Sequence, residues 1–163
     1  MRWLDVITAD WRANRGNWKG RLVVILYRIA NGVSQLPIVG KIILLPYVAF
    51  YKIFSEVVLG IEIHWKCSIG PGLVVYHGYG LVVHSDAVLG SGVILRHGVT
   101  IGEGHTGQQD VPIIGDNVEF GCNATVLGRT VVGNNAKIGA GVVVFNKNIP
   151  EGASVLGPKP SVI

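Results

Sequence analysis

Five histidines are the side chains of this 163-residue sequence best suited to chemistry near neutral pH: His64, His77, His84, His97 and His105. A neutral imidazole can take a proton from a hydroxyl, and its ordinary pKa of about 6.5 keeps both charge states within reach. Their spacing is not random. His77 stands two residues after Val75 and His97 two after Leu95, and each is followed by glycine, Gly78 and Gly98. His64 and His84 form a second pair, each directly after an aliphatic residue, Ile63 and Val83. A metal site needs about three ligands converging on one point. Two separated pairs do not supply that, so no metal is expected. Cys67 and Cys122 show no C-x-x-C and no metal-ligand spacing. They read as small buried residues in a reducing compartment.

The spacing of these residues follows from a repeat. Apolar residues recur every six positions at Ile63, Ile69 and Val75, at Val83, Leu89, Leu95 and Ile101, and at Ile114, Phe120, Val126, Val132, Ile138 and Val144. The position two before each is small or apolar, as at Ala87, Val93, Val99, Val118, Ala124, Ala136 and Val142. Residues two apart on a strand share one face, so each unit buries two side chains and then turns. Three units close a coil of about 18 residues, which predicts roughly four coils of an all-β solenoid. Val75 and Leu95 are one coil apart. His77 and His97 are therefore expected at one corner on neighbouring coils, with backbones about 4.8 Å apart.

The repeat is interrupted twice. The step from Val75 to Val83 is eight residues, a widened corner, and the step from Ile101 to Ile114 is thirteen. The second contains a polar, glycine-rich loop, 102–113, and insertions in solenoids usually lie on the functional face. The reading therefore has a helical N-terminal region 1–60, a β-helix 61–149 and a cap or tail 150–163.

Residues 1–60 carry eight Lys/Arg against three Asp/Glu, whereas 61–163 carry six against seven. The apolar pattern of Leu22, Val23, Ile25, Leu26 and Ile29 predicts a helix stopped at Asn31-Gly32. A second helix is expected from about 40 to 59, ended or kinked by Pro46. The apolar run 42–51 is short of the ~20 residues that span a bilayer. The charges within 1–20 argue against a signal peptide. No basic-aromatic groove suggests nucleic acid.

The hexad of an aliphatic residue followed by glycine resembles the hexapeptide-repeat acyltransferases. The stretches Gly-Ile-Glu-Ile-His at 60–64, Tyr-His-Gly-Tyr-Gly at 76–80, Leu-Arg-His-Gly-Val-Thr-Ile-Gly at 95–102, Pro-Ile-Ile-Gly-Asp-Asn-Val at 112–118 and Lys-Ile-Gly-Ala-Gly-Val-Val at 137–143 are similar to the serine acetyltransferase group. They are closest to short polysaccharide O-acetyltransferases of the colanic-acid type. The resemblance implies a left-handed β-helix, a homotrimer with sites between subunits, and acetyl-CoA as co-substrate. It assigns the general base to His77 and the carboxylate that orients it to Glu62, where the group usually has Asp. It places pantetheine along Cys122, Gly139 and Ala140. It places a CoA phosphate at Lys137, with Lys147 and Lys159 as weaker candidates.

The acceptor is expected to be a sugar or polysaccharide hydroxyl. Serine acetyltransferases carry Asp-Arg-His-Pro where this chain has Gln109, Asp110, Val111 and Pro112, so the cation that would hold a serine carboxylate is missing. Tyr76, Tyr79, Arg96, His97, Gln108, Gln109 and Asp110 offer hydrogen bonds suited to a sugar. The alternatives are a serine O-acetyltransferase, with Ile163 as a C-terminal plug, and a non-catalytic scaffold. The setting implied is cytoplasmic. The basic, Trp-bearing helices either pack on the trimer or touch the inner face of the cell membrane.

Overall fold

The computed structural model describes residues 2–105 and 110–157. Helices α1 (Trp3–Ala13), α2 (Trp18–Ser34) and α3 (Ile38–Lys52) come first, and α3 runs into a π-helical segment, Ile53–Val58. A left-handed parallel β-helix follows. Its first coil is β1 (Ile61–Ile63), β2 (Ser68–Ile69) and β3 (Val74–Tyr76), and its second is β4 (Leu81–Val83), β5 (Val88–Leu89) and β6 (Ile94–Arg96). The third is β7 (Thr100–Gly102), β8 (Ile113–Ile114) and β9 (Glu119–Phe120), and the fourth is β10 (Thr125–Leu127), β11 (Val131–Val132) and β12 (Lys137–Ile138). A fifth coil, β13 (Val143–Phe145), β14 (Asn148–Ile149) and β15 (Ser154–Val155), exceeds the four expected and carries the solenoid past the boundary drawn at 149.

The three faces are five-stranded parallel sheets: β1-β4-β7-β10-β13, β2-β5-β8-β11-β14 and β3-β6-β9-β12-β15. All thirteen residues of the hexad series are buried. They stack in register, as in Ile63↔Val83, Val83↔Ile101 and Val126↔Val144. Each column thus shields the next from water, and the backbone bonds run between coils. Between β7 and β8 the described residues 103–105 and 110–112 belong to no strand.

The helices differ more from the sequence reading. The pattern foresaw neither α1 nor the true inner face of α2. Val23, Val24, Tyr27, Arg28 and Ala30 are buried, while Leu22 and Ile29 are among the exposed apolar residues. The reason is the open edge of the first coil, whose carbonyls and N–H groups need partners. Asp10 Oδ1 accepts from the N–H of Gly72 (2.7 Å) and Leu73 (2.9 Å). Arg28 donates to the carbonyls of Ile69 and Gly70, both at 2.6 Å, and pairs with Asp10 at 2.7 Å. Tyr27 Oη donates to the Cys67 carbonyl and Tyr51 Oη to that of Ile63, each at 2.7 Å. Asn14 and Asn17 bind the Leu73 and Val75 carbonyls at 2.7 and 2.8 Å.

Asn31-Gly32 does not stop α2. The Asn31 amide donates to the Trp65 and Cys67 carbonyls (2.9 and 3.0 Å), so its side chain is committed to the coil and the helix runs on to Ser34. Pro46 lies inside α3 without ending it. Val48 and Tyr51 anchor that helix, and Tyr47 Oη reaches the Leu26 carbonyl at 3.1 Å. Tertiary contact here outweighs the ~3 kcal/mol penalty of an interior proline. The apolar run 42–51 therefore belongs to a longer helical run, Ile38–Val58, of 21 residues, which is long and apolar enough by length and composition to cross a membrane.

Candidate active site

The corner between the third and first sheets gathers most of the expected residues. Its backbone forms a ladder down the prism. The Gly98 N–H donates to the Tyr79 carbonyl (2.9 Å), the Asn123 N–H to the His97 carbonyl (2.9 Å) and the Gly141 N–H to the Cys122 carbonyl (2.8 Å). Tyr79, His97, Cys122 and Ala140 therefore occupy equivalent places on successive coils. Arg96, Glu119 and Lys137 stand on the adjoining sheet, with Lys137 in register with Glu119.

The widened corner is made by the insertion that contains His77. Strand register holds through Tyr76↔Arg96. The two extra residues then push His77 outward, so Tyr79, rather than His77, stacks over His97. Gly78 turns beneath the bulge, where an added Cβ would lie 2.7 Å from Val75 Cγ1 and 2.9 Å from Ile61 Cδ1. The Tyr79 ring covers Gly60. Among the described residues five non-glycine residues have positive φ. Four are Asn117, Asn123, Asn135 and Asn146, the residue type that tolerates this conformation best; the fifth is His77, at φ 54°. A strained backbone persists only where surrounding structure enforces it, and such positions cluster at functional sites.

His77 is solvent-exposed and borders a cleft of about 600 Å³. Trp18 and Leu22 of α2, with Phe54, Val58 and Leu59, form its opposite wall. The sequence reading placed none of these five residues at the site, because the wall exists only once the helices fold across β3. Gly78→Ala is expected to displace the His77 backbone, and in the transfer proposed below that displacement lowers turnover by about tenfold, because a 1 Å misplacement of a reacting group is costly. Steady-state kinetics beside a melting curve would check this.

Glu62 lies exposed on β1, whose chain enters from Gly60; the Gly60 carbonyl accepts the Gly80 N–H of the widened corner at 2.7 Å. It is at the rim of the same corner, but the four ion pairs among the described residues do not join it to His77. Arg96 is committed elsewhere: it donates to the Phe120 carbonyl (2.9 Å) and Glu119 (2.7 Å).

Asp110 is not brought to this corner. It is buried at the next corner, its carboxylate held by Arg129 at 2.5 Å and its carbonyl by the Gly104 N–H at 3.0 Å. One sheet width separates it from the His77 corner. Gln108, Gln109, Lys159 and Ile163 lie outside the described residues.

His64 and His84 occupy that other corner in two successive coils. Each Nδ1 accepts the N–H two residues on, at 3.2 Å, a turn-closing role. Burial, aided by Lys52 and Lys66, holds His64 below its ordinary pKa of 6.5. The unfolded chain binds that proton more readily, so this contribution to stability is lost as pH falls below about 6.5. Cys67 is fully buried and its thiol is pushed up to about 12 by burial, which makes it inert. Cys122, expected to be buried as well, is only half-buried, because it sits on the corner ladder rather than in the core. Among the described residues no three His, Cys, Asp or Glu side chains converge as metal ligands.

The bacterial transferase hexapeptide family (six repeats) matches residues 112–146. The chain is 35% identical over 156 residues to the protein of Escherichia coli K12 that is named as a colanic acid biosynthesis acetyltransferase, WcaB, covering 94% of this chain and 96% of that one. This chain belongs to the hexapeptide-repeat acyltransferases. Another relative in this family, the serine acetyltransferase of Synechococcus elongatus, is 31% identical over 90% of this chain and 57% of its own length. The crystal structure of serine acetyltransferase from Brucella abortus superposes with a TM-score of 0.81 at 29% identity, covering 96% of this chain and 66% of that one. Its complex with coenzyme A gives a TM-score of 0.81 at 28% identity. This hexapeptide-repeat chain thus spans about two-thirds of those solved chains.

Proposed function

We propose that this acetyltransferase moves acetyl from acetyl-CoA to a sugar hydroxyl in exopolysaccharide or capsule synthesis, in the cytoplasm. The observation that supports it best is His77, held at positive φ on the rim of a cleft, above a corner column of His97, Cys122 and Ala140. In this reading the imidazole of His77 takes the acceptor hydroxyl proton as the oxygen attacks the thioester carbon. The tetrahedral intermediate then collapses with cleavage of the carbon–sulfur bond, and the proton passes to the departing thiolate. Glu62 orients His77 and stabilises its cation. His97 and Tyr79 hold the acceptor. Pantetheine lies along Cys122, Gly139 and Ala140, where small side chains leave room, and Lys137 meets a CoA phosphate. A homotrimer closes the groove between subunits.

Serine is the second reading, favoured by the similarity to the serine acetyltransferases. Against it stands the loop corner, where Arg129 is already neutralised by Asp110 and offers no open charge to a carboxylate. Thiol release from acetyl-CoA, followed with serine and with free, nucleotide-linked and polymeric sugars, decides between them. Sugars are expected to accelerate release. Acceleration by serine alone would reassign the acceptor.

A further inference from the structure

The helical run Ile38–Val58 is apolar on its outer side as well as its inner side. Ile38, Val39, Ile42, Ile43, Ile53 and Val57 are each more than 60% exposed. So large a contiguous apolar face on a protein surface marks an interaction site. The run is held along one flank, where Val48 and Tyr51 are buried, the Tyr47 hydroxyl donates to the Leu26 carbonyl of α2 and the Tyr51 hydroxyl to the Ile63 carbonyl of β1.

Two observations favour lipid over protein as the occupant. Lys41 and Lys52 punctuate the run, and Arg12, Arg15 and Lys19 stand exposed at the α1–α2 turn next to exposed Trp11 and Trp18. Exposed tryptophans among cations suit the interface of an anionic membrane. A protein partner would instead call for a bounded apolar patch with a paired polar rim. The same run also carries Phe54 and Val58, which line the cleft at His77.

We infer that the outer face of Ile38–Val58 seats the protein on an anionic lipid bilayer, and that the acceptor reaches His77 from that surface as a lipid-borne saccharide. The second half of the inference rests on the sugar-acetylating reading above; the first half does not. A surface-lying helix buries its apolar side chains at the headgroup boundary, and basic residues add attraction to anionic lipid.

The test uses the whole chain, with the double variant I43E/V57E, whose positions are exposed. Co-sedimentation is measured with phosphatidylcholine vesicles, alone and with about one-third phosphatidylglycerol, at low and high salt. Binding is expected to the anionic vesicles, weaker in high salt, and at least about tenfold weaker for the variant. Acetyl transfer to an alkyl glycoside embedded in the vesicles should fall about tenfold in the variant, while transfer to a soluble sugar and the oligomeric mass stay unchanged. No vesicle binding, or a changed mass in the variant, which would make a second copy the occupant, overturns the bilayer seat. Resistance to alkaline extraction, the mark of a spanning helix, overturns it too. Vesicle binding with equal loss on soluble and embedded sugars overturns only the route of the acceptor. Vesicle binding without transfer to any sugar refutes the sugar reading and leaves the seat standing.

Discussion

His77→Asn should remove about 10²–10⁴-fold of turnover while leaving the fold as stable as before, or more stable by up to about 1 kcal/mol. Two features of one position give this opposed pair of outcomes. The imidazole is the proton acceptor in the proposed transfer, and an amide cannot replace it. The backbone at His77 sits at φ 54°, where L-residues other than Asn are disfavoured, and every other non-glycine residue described at positive φ is Asn. The side chain is exposed, so its removal opens no core cavity. Stopped thiol-release assays and urea midpoints measure the two effects on the same preparations. A variant that lost activity together with stability would make His77 a structural residue. One that kept activity would place the base elsewhere on the corner, His97 being the neighbour to test.

Asp10→Ala is expected to be the most damaging single change outside the prism, at about 3–5 kcal/mol. Asp10 is 2% exposed and serves three groups: the Arg28 guanidinium and the N–H groups of Gly72 and Leu73. Truncation leaves a buried cation without its partner and two donors without an acceptor, and it is this orphaning rather than the pair's own attraction that costs so much. Against a total stability of about 5–15 kcal/mol, the loss would open the first coil. Asp10→Asn keeps an oxygen for the two N–H groups and should cost less. Urea unfolding at fixed protomer concentration reads the ranking, since assembly shifts the apparent midpoint. Equal midpoints for Asp10→Ala and the parent chain would mean that the helices do not cap the coil. Because β3 leads directly into the widened corner, the Asp10→Ala variant should also lose turnover before it unfolds globally.

The two variants probe different kinds of information. The prism was legible in the residues alone. A hexad repeats the same local demand, two inward side chains and a turn, and the coil below supplies the partner for the coil above. Every one of the thirteen positions from Ile63 to Val144 could therefore be placed inside from spacing alone. The widened corner at His77 was legible for the same reason: a break in a strict period must leave the prism.

What the tertiary structure decided lies where contacts join unrelated stretches of chain. The bonds of Asn14 to Leu73 and Asp10 to Leu73 span 59 and 63 residues, and nothing in either partner's local pattern announces them. They recruit the polar residues of α1 and α2 that periodicity left unassigned, and the same contacts carry α2 through Asn31-Gly32 and α3 through Pro46. At the site, counting hexads put His77 and His97 at one corner but could not show that the inserted residues set Tyr79 over His97. Nor could it show that Asp110 would be spent on Arg129 at another corner. The periodic backbone is a local property repeated, so the sequence carries it. The cleft, its apolar wall and the caps on the first coil are pairings between distant segments, and only the folded chain brings them together.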